Sequence, residues 1–503
     1  MKILLVHPNS VSSGYIVPAL ASLSAVLKKA SHEVEMFDTT FMNSHTVEDN
    51  KIKEKNLEFK KVDLAKYGVV KERVNIREEF EKKIMEFEPD LIAASVVSSE
   101  FEFLISFLNV VKEKFKDIPI LIGGAHPTVA PEEAIKDENV DMICIGEGEE
   151  AILELLDKLE RGKDISKIKS LWVKKDGKII KNELRMLEQD LDSLPFPDWD
   201  IFDDRHLIKP FNGKVRRFGY FELGRGCAYK CPFCVNSFLH KLYKGKGRWH
   251  REKSAKRIID EIKYMKDKHN FNFVQFTDET LLAMSKEKLT EFADLYKEQV
   301  NLPFFMMTRP ETLEEDKVKI LGSMKLCQMV AIGLESGNEK IRSQVCDKHF
   351  SNEQMINVGN LLHKYGIKLA TYNMIGLPYE NRDQIFDTIK LNKKIKSRPA
   401  IFYFFYPFKG TPLRDLCLEE GFIEESETRF RPTVNTILNM PQISYIELQS
   451  IKKVIPIYLR TPEFLWPIIK ECENGSLFGK TLYFTLINFF ELKFNYLEKK
   501  LEY

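Results

Sequence analysis

Cys227-Ala228-Tyr229-Lys230-Cys231-Pro232-Phe233-Cys234 lies between Gly224-Arg225-Gly226 and Val235-Asn236. Three cysteines at C-x3-C-x2-C spacing put three thiolates on one tight loop. Such a loop can hold three irons of a [4Fe–4S] cluster and leave the fourth open to a small molecule. Zinc would want a fourth Cys or His at a usual spacing. His240, six residues beyond Cys234, falls outside it. The other five of the eight cysteines are scattered, which fits a reducing compartment and argues against a disulfide here.

Around this loop the chain reads as repeated strand–helix units. Phe218–Leu223, Phe271–Phe276, Phe304–Met307, Met329–Leu334, Leu369–Ile375 and Ile401–Phe405 are candidate strands, with helices such as Ser254–Lys268 and Lys286–Gln299 between them. Six βα units predict a partial (β/α)6 barrel, with its chemistry on the rim at the strands' carboxyl ends. The unusual clusters fall there. They are the Cys loop, Thr277-Asp278-Glu279-Thr280, Thr308-Arg309-Pro310, Gly333-Leu334-Glu335-Ser336-Gly337, Asn373-Met374-Ile375-Gly376-Leu377-Pro378 and Tyr406 to Pro412.

The Cys loop and this rim resemble the radical S-adenosylmethionine (SAM) enzymes, in which the open iron chelates SAM and reductive cleavage yields a 5′-deoxyadenosyl radical. The resemblance implies that Cys227, Cys231 and Cys234 carry the cluster and that Phe233 sits beside adenine. It implies acceptors from Glu335 and Ser336 for SAM's ribose or amino group. Arg309 would hold the SAM carboxylate, Asn373 the ribose, and Ile375-Gly376 would lie against adenine. Asp278 and Glu279 match a family position near SAM and substrate, and fit a structural ion pair equally well. Tyr403 and Tyr406 read as core aromatics before they read as chamber walls.

Ahead of the barrel, Lys2–His7, Glu33–Asp38, Leu91–Val96, Ile118–Ile122 and Met142–Ile145 are short apolar runs separated by helical patterns. This predicts a Rossmann-like, doubly wound α/β domain that binds a ligand at its strands' carboxyl ends. Those ends carry His7-Pro8-Asn9, Ser95, Gly123-Gly124-Ala125-His126-Pro127-Thr128 and Gly146-Glu147-Gly148-Glu149. Gly-Gly-x-His-x-Thr followed by Gly-Glu-Gly-Glu resembles the cobalamin-binding domain fused ahead of many radical SAM enzymes. On that resemblance Pro8, Asn9, Ser95, Gly123, Gly124, His126, Thr128, Gly146, Glu147, Gly148 and Glu149 are the expected cobalamin contacts. No Asp-x-His-x-x-Gly follows the first strand, so the expectation is a base-off cobalamin with no histidine beneath cobalt. His126 would then orient the cofactor rather than ligate it.

The expected division is residues 1–160 for the cobalamin domain and 161–212 for a connector. Residues 213–420 would form the barrel and 421–503 a mainly helical cap. The connector holds a hairpin with an Asp176-Gly177 turn, a run of acidic residues and prolines, and Trp199 as a packing anchor or spacer residue. In the cap, Arg429-Phe430-Arg431-Pro432 is expected to cover the barrel. The aromatic stretch Leu482 to Tyr503 is expected to cover the core, or to touch a membrane surface or a lipid-like substrate.

The 503 residues carry a net charge of +1, which argues against nucleic acid as the main partner. The hydrophobic (44%) and charged (30%) fractions are those of an ordinary soluble protein. No signal peptide or transmembrane helix is expected, which places the protein in the cytoplasm. The resemblance implies [4Fe–4S], SAM and cobalamin as cofactors, and an external one-electron reductant such as flavodoxin or ferredoxin. The leading expectation is methylation of an unactivated carbon, with one SAM yielding the radical and methylcobalamin supplying the methyl. The alternatives are an oxidative cyclase or ring-rearranging enzyme, and a cobalamin-binding protein without catalysis.

Overall fold

The computed structural model describes residues 1–10, 14–42, 49–426 and 433–496. The expected cap segment Arg429–Pro432 and the end of the aromatic tail, residues 497–503, lie outside them.

The first sheet holds seven strands in the order β2-β1-β3-β4-β5-β6-β7. β1 (Lys2–His7), β2 (Glu33–Asp38), β3 (Leu91–Ser95), β4 (Ile120–Gly123) and β5 (Met142–Cys144) run parallel. Ile3, Leu4, Leu5 and Val6 have no exposed surface. A strand apolar on both faces needs cover on both, and helices supply it. The order reverses between β1 and β3, the position where doubly wound sheets open a ligand crevice.

The expected hairpin forms as β6 (Leu171–Lys175) and β7 (Lys178–Lys181), with Asp176 and Gly177 both at positive φ. It does not stand apart in the connector. β6 pairs antiparallel with β5, so the hairpin covers what would otherwise be a bare sheet edge. Trp199 packs on Phe221, Phe271 and His269, the anchoring role.

The second sheet runs β16-β15-β14-β13-β12-β9-β8. Its strands are β8 (Ile208–Phe211), β9 (Lys214–Phe221), β12 (Phe273–Phe276), β13 (Phe304–Thr308), β14 (Cys327–Glu335), β15 (Lys368–Ile375) and β16 (Ala400–Phe404). The six expected strands are parallel neighbours and curl into a half-barrel. β8 adds an antiparallel edge that the sequence reading missed, because a strand containing Pro210 reads as a loop. A separate two-stranded ribbon, β10 (Gly224–Arg225) and β11 (Arg251–Glu252), brackets the cysteine loop.

β16 and β8 do not meet, and a segment of the N-terminal half reaches across that open side. Leu57 joins the core of Phe402 and Phe404, and Lys53 lies 5.3 Å over the Tyr403 ring. Lys60 sits against Gly213 in the β8–β9 turn. Beyond the barrel, the helix Leu477–Tyr496 buries Tyr483, Ile487 and Phe490 while leaving Phe478, Phe484 and Leu492 exposed. Among the described residues no helix is long and apolar enough to cross a membrane.

Candidate active site at the junction of the two sheets

β9 aims the chain into the cysteine loop, and Asp278 at the end of β12 holds the stem. Its buried carboxylate accepts the backbone N–H of Leu223 at 2.9 Å and of Gly224 at 2.8 Å. Burial pushes that carboxyl up to about 7. This is a loop-holding role, not the ion pair considered from sequence. Gly226 has φ +80, and a Cβ there would lie 2.5 Å from the Trp249 carbonyl, so only glycine passes.

Cys227 and Cys231 are buried and Cys234 is half-buried. Each sulfur has a polar neighbour: Thr280 Oγ1 at 3.5 Å from Cys227, Arg309 Nη1 at 2.8 Å from Cys231, and Asn236 Nδ2 at 3.6 Å from Cys234. Burial raises the Cys231 thiol, while Lys348 and Arg309 pull it back toward the thiolate. His240 is spent elsewhere, its Nε2 lying 2.8 Å from the Cys227 carbonyl oxygen, so it does not complete a zinc site. Among the described residues no three His, Cys, Asp or Glu side chains are placed to hold a single metal ion. A cubane asks for something else, one thiolate at each of three corners, which this loop offers.

The rim residues separate on inspection. Arg309 lies 3.8 Å over the Tyr229 ring and pairs with Glu311 at 2.5 Å, so it serves the cysteine loop. Glu335 sits at φ +61 with its carboxylate 2.7 Å from Lys348, which also lies 5.7 Å from the Phe233 ring. That places Glu335, Lys348 and Phe233 beside the loop, with the Glu335 carboxylate paired to Lys348.

Asn373 and Ser336 do not fit their expected roles. The Asn373 amide donates to the Ile401 carbonyl and accepts from Asn392, and the residue has no exposed surface. Ser336 is equally buried, between Glu380 and Thr388. Neither has a group left for ribose, because the sheet interior must satisfy its own polar atoms. Ile375 points into the core with Leu377 and Phe404, so what it offers a ligand is backbone. Gly376, at φ +74, donates its N–H to Glu380. Glu380, not anticipated from sequence, is fully buried and its carboxyl is pushed up to about 8.

A cavity of about 340 Å³ lies where the two sheets' carboxyl ends face each other. Ser95, Gly123, Gly124, Gly146, Glu147, Gly148 and Glu149 line it from the first sheet. Gly224, Arg225, Gly226, Trp249, Arg251 and Asp278 line it from the stem of the cysteine loop. Asn9, His126 and Thr128 stand beside it rather than in its lining. Asn9 bonds Thr39 and Thr40. Thr128 staples the two glycine loops, donating to the Gly124 carbonyl and accepting the Gly146 N–H. His126 stacks on Phe101 with Nδ1 at 3.2 Å from Ser98. Pro8 is likewise not in the lining.

The family models match on both sides of this cavity. The radical SAM superfamily model covers residues 221–391, and the B12 binding domain model covers residues 9–156. Residues 221–391 are thus a radical SAM domain. Residues 9–156 are a B12-binding domain. An uncharacterized methyltransferase of Pyrococcus horikoshii is 26% identical over 75% of this chain and 81% of its own length. The anaerobic magnesium-protoporphyrin IX monomethyl ester cyclase of Rubrivivax gelatinosus is 24% identical over 84% of this chain and 70% of its own. Among solved structures, the radical SAM methyltransferase TsrM from Kitasatospora setae superposes with a TM-score of 0.63 at 17% identity, covering 83% of this chain and 76% of TsrM. The cobalamin-dependent radical SAM enzyme OxsB reaches 0.66 at 14% identity, covering 99% of this chain and 72% of OxsB. At those identities the likeness is one of fold.

A radical SAM barrel behind a B12 domain takes a [4Fe–4S] cluster, SAM and cobalamin, and the residues present fit them. Three thiols share one loop with two cations beside Cys231. On the first sheet's side the cavity is lined by Ser95, Gly123, Gly124, Gly146 and Gly148, the strand-end residues that the B12 domain model spans.

Proposed function

We propose that this protein is a cobalamin-dependent radical SAM methyltransferase acting on an unactivated carbon. The observation that carries it is the single cavity walled by the glycine turns of the B12 domain and by the stem of the cysteine loop. When bound, the three cofactors supply reductive cleavage of the SAM sulfonium and a cobalt-centred methyl carrier. The chain's part is placement. Cys227, Cys231 and Cys234 would hold the cluster. Arg309 and Lys348 neutralise its charge at Cys231, and Asp278 fixes the loop stem. Trp249, stacked on Tyr243 at 5.5 Å, walls one flank of the cavity. The electron comes from a partner outside the chain, of the flavodoxin or ferredoxin class.

The test is anaerobic reconstitution with iron, sulfide and hydroxocobalamin, then addition of SAM labelled in its methyl group and a one-electron reductant. Release of 5′-deoxyadenosine with label entering the corrinoid fraction supports methyl transfer. Deoxyadenosine without label transfer favours a cyclase, the activity for which the Rubrivivax relative is named. A corrinoid-binding protein that yields no deoxyadenosine is a binder.

A further inference from the structure

Gly146-Glu147-Gly148-Glu149 is expected from sequence to touch cobalamin, but its two carboxylates are engaged elsewhere. Glu147 takes a two-pronged contact from Arg251, with Nη2 at 2.5 Å and Nη1 at 3.0 Å. Glu149 accepts from Arg225 Nη2 at 2.7 Å and from Ser22 Oγ at 2.8 Å. Burial raises the Glu149 carboxyl, and Arg225 and Ser22 more than reverse it, so it lies below its usual value. Both arginines belong to the β10–β11 ribbon, where Arg225 and Arg251 are direct partners. Arg251 is 4% exposed. Arg225 stands two residues before Cys227.

The same turn is gripped a second way. The Glu147 N–H donates to Tyr243 Oη at 3.1 Å, and Tyr243 follows the helix that leaves Cys234. Thus both stems of the cysteine loop are fastened to one turn of the B12 domain, by one forked charge pair, one single arginine–carboxylate bond and a tyrosine. These side chains line or border the cavity, yet their charges are spent on each other.

We propose that Glu147, Glu149, Arg225 and Arg251 are positioning residues forming a latch that couples corrinoid occupancy to the order of the cysteine loop. This rests on the reading that cobalamin occupies the cavity between the sheets. A ligand that settles the Gly146–Gly148 turn also settles the carboxylates next to it. Those carboxylates hold the arginines of the loop stem. By linkage, an ordered cluster loop tightens corrinoid binding in return.

The test uses full-length protein carrying its reconstituted cluster, with hydroxocobalamin as the probe and amide hydrogen exchange of residues 224–234 as the readout. In the wild type, hydroxocobalamin slows exchange in that segment about tenfold. In Glu147→Gln/Glu149→Gln, with iron content unchanged, that response falls to less than about twofold while hydroxocobalamin still binds. The exchanged pair Arg225→Glu/Glu149→Arg restores at least part of it. Should the double glutamine variant not fold, Glu149→Asp carries the test, keeping the charge and returning an intermediate response. A glutamine variant with the full wild-type response overturns the latch, as does a charge swap that restores nothing. Wild-type protein that binds hydroxocobalamin without any change at 224–234 overturns the latch alone. Wild-type protein that fails to bind hydroxocobalamin overturns the latch together with the cofactor reading beneath it.

Discussion

Arg309 Nη1 donates to the sulfur of Cys231 at 2.8 Å while the same guanidinium lies 3.8 Å above the Tyr229 ring. One cation is thus aimed at one corner of the cluster loop, with its plane fixed by an aromatic face and its other edge by Glu311. A positive donor at a cluster thiolate stabilises the added negative charge of the reduced state.

Arg309→Met should therefore keep the cluster but make it harder to reduce. The expected shift is about 60 mV toward negative potential, a tenfold change for one electron. A potentiometric titration followed by electron paramagnetic resonance reads it. An unchanged potential would show that Arg309 only packs against Tyr229.

Cys231→Ala removes a thiolate that His240 does not replace, since its ring is taken up by the Cys227 carbonyl. The variant should lose the iron–sulfur absorption after reconstitution. Its hydroxocobalamin absorption should persist, because the first sheet supplies half of the cavity wall. Loss of both signals would mean that the corrinoid site does not form at all without the cluster.

Gly146 has φ +82, and a Cβ there would fall 1.5 Å from Tyr243 Oη. Gly146→Ala should cost about 1–2 kcal/mol from the left-handed backbone alone, with the clash added to that. Differential scanning calorimetry should show a midpoint several degrees lower. Combining Gly146→Ala with Tyr243→Ala removes the clash and leaves the backbone strain, so recovery should be partial.

Glu380 is fully buried and accepts the N–H groups of Gly376 and Leu377. Its carboxyl is raised from 4.5 to about 8 by burial. A group whose folded value is raised favours the fold at low pH and loses that contribution as pH climbs to the folded value. Wild-type stability should then decline between pH 5 and 8, by at most about 1.4 kcal/mol per pH unit from this group. Glu380→Gln should flatten that decline. Thermal midpoints for both proteins across this range decide it, and parallel curves would place the titration elsewhere.

The Cys227–Cys234 spacing named the chemistry because a three-thiolate loop is a local object, complete within eight residues. The strands of both sheets were legible for a similar reason, since apolar runs bounded by glycines need no knowledge of their neighbours. The chain position of Ser95, Gly123, Gly146 and Gly148 at strand ends was enough to bring them to one cavity.

What the residues do with their polar groups was decided only by the fold. Asn373 and Ser336 sit at the expected strand ends, yet their bonds are taken up by Asn392, Ile401, Glu380 and Thr388. Glu147 and Glu149 look like ligand contacts until arginines 104 and 76 residues away are seen to claim them. β8 and the β6–β7 hairpin joined sheets that their own sequences do not announce. Spacing along a chain fixes which groups can act together locally. Which polar group is left free is settled by partners that come near only when the chain has folded, because a buried donor or acceptor bonds whatever lies within about 3 Å.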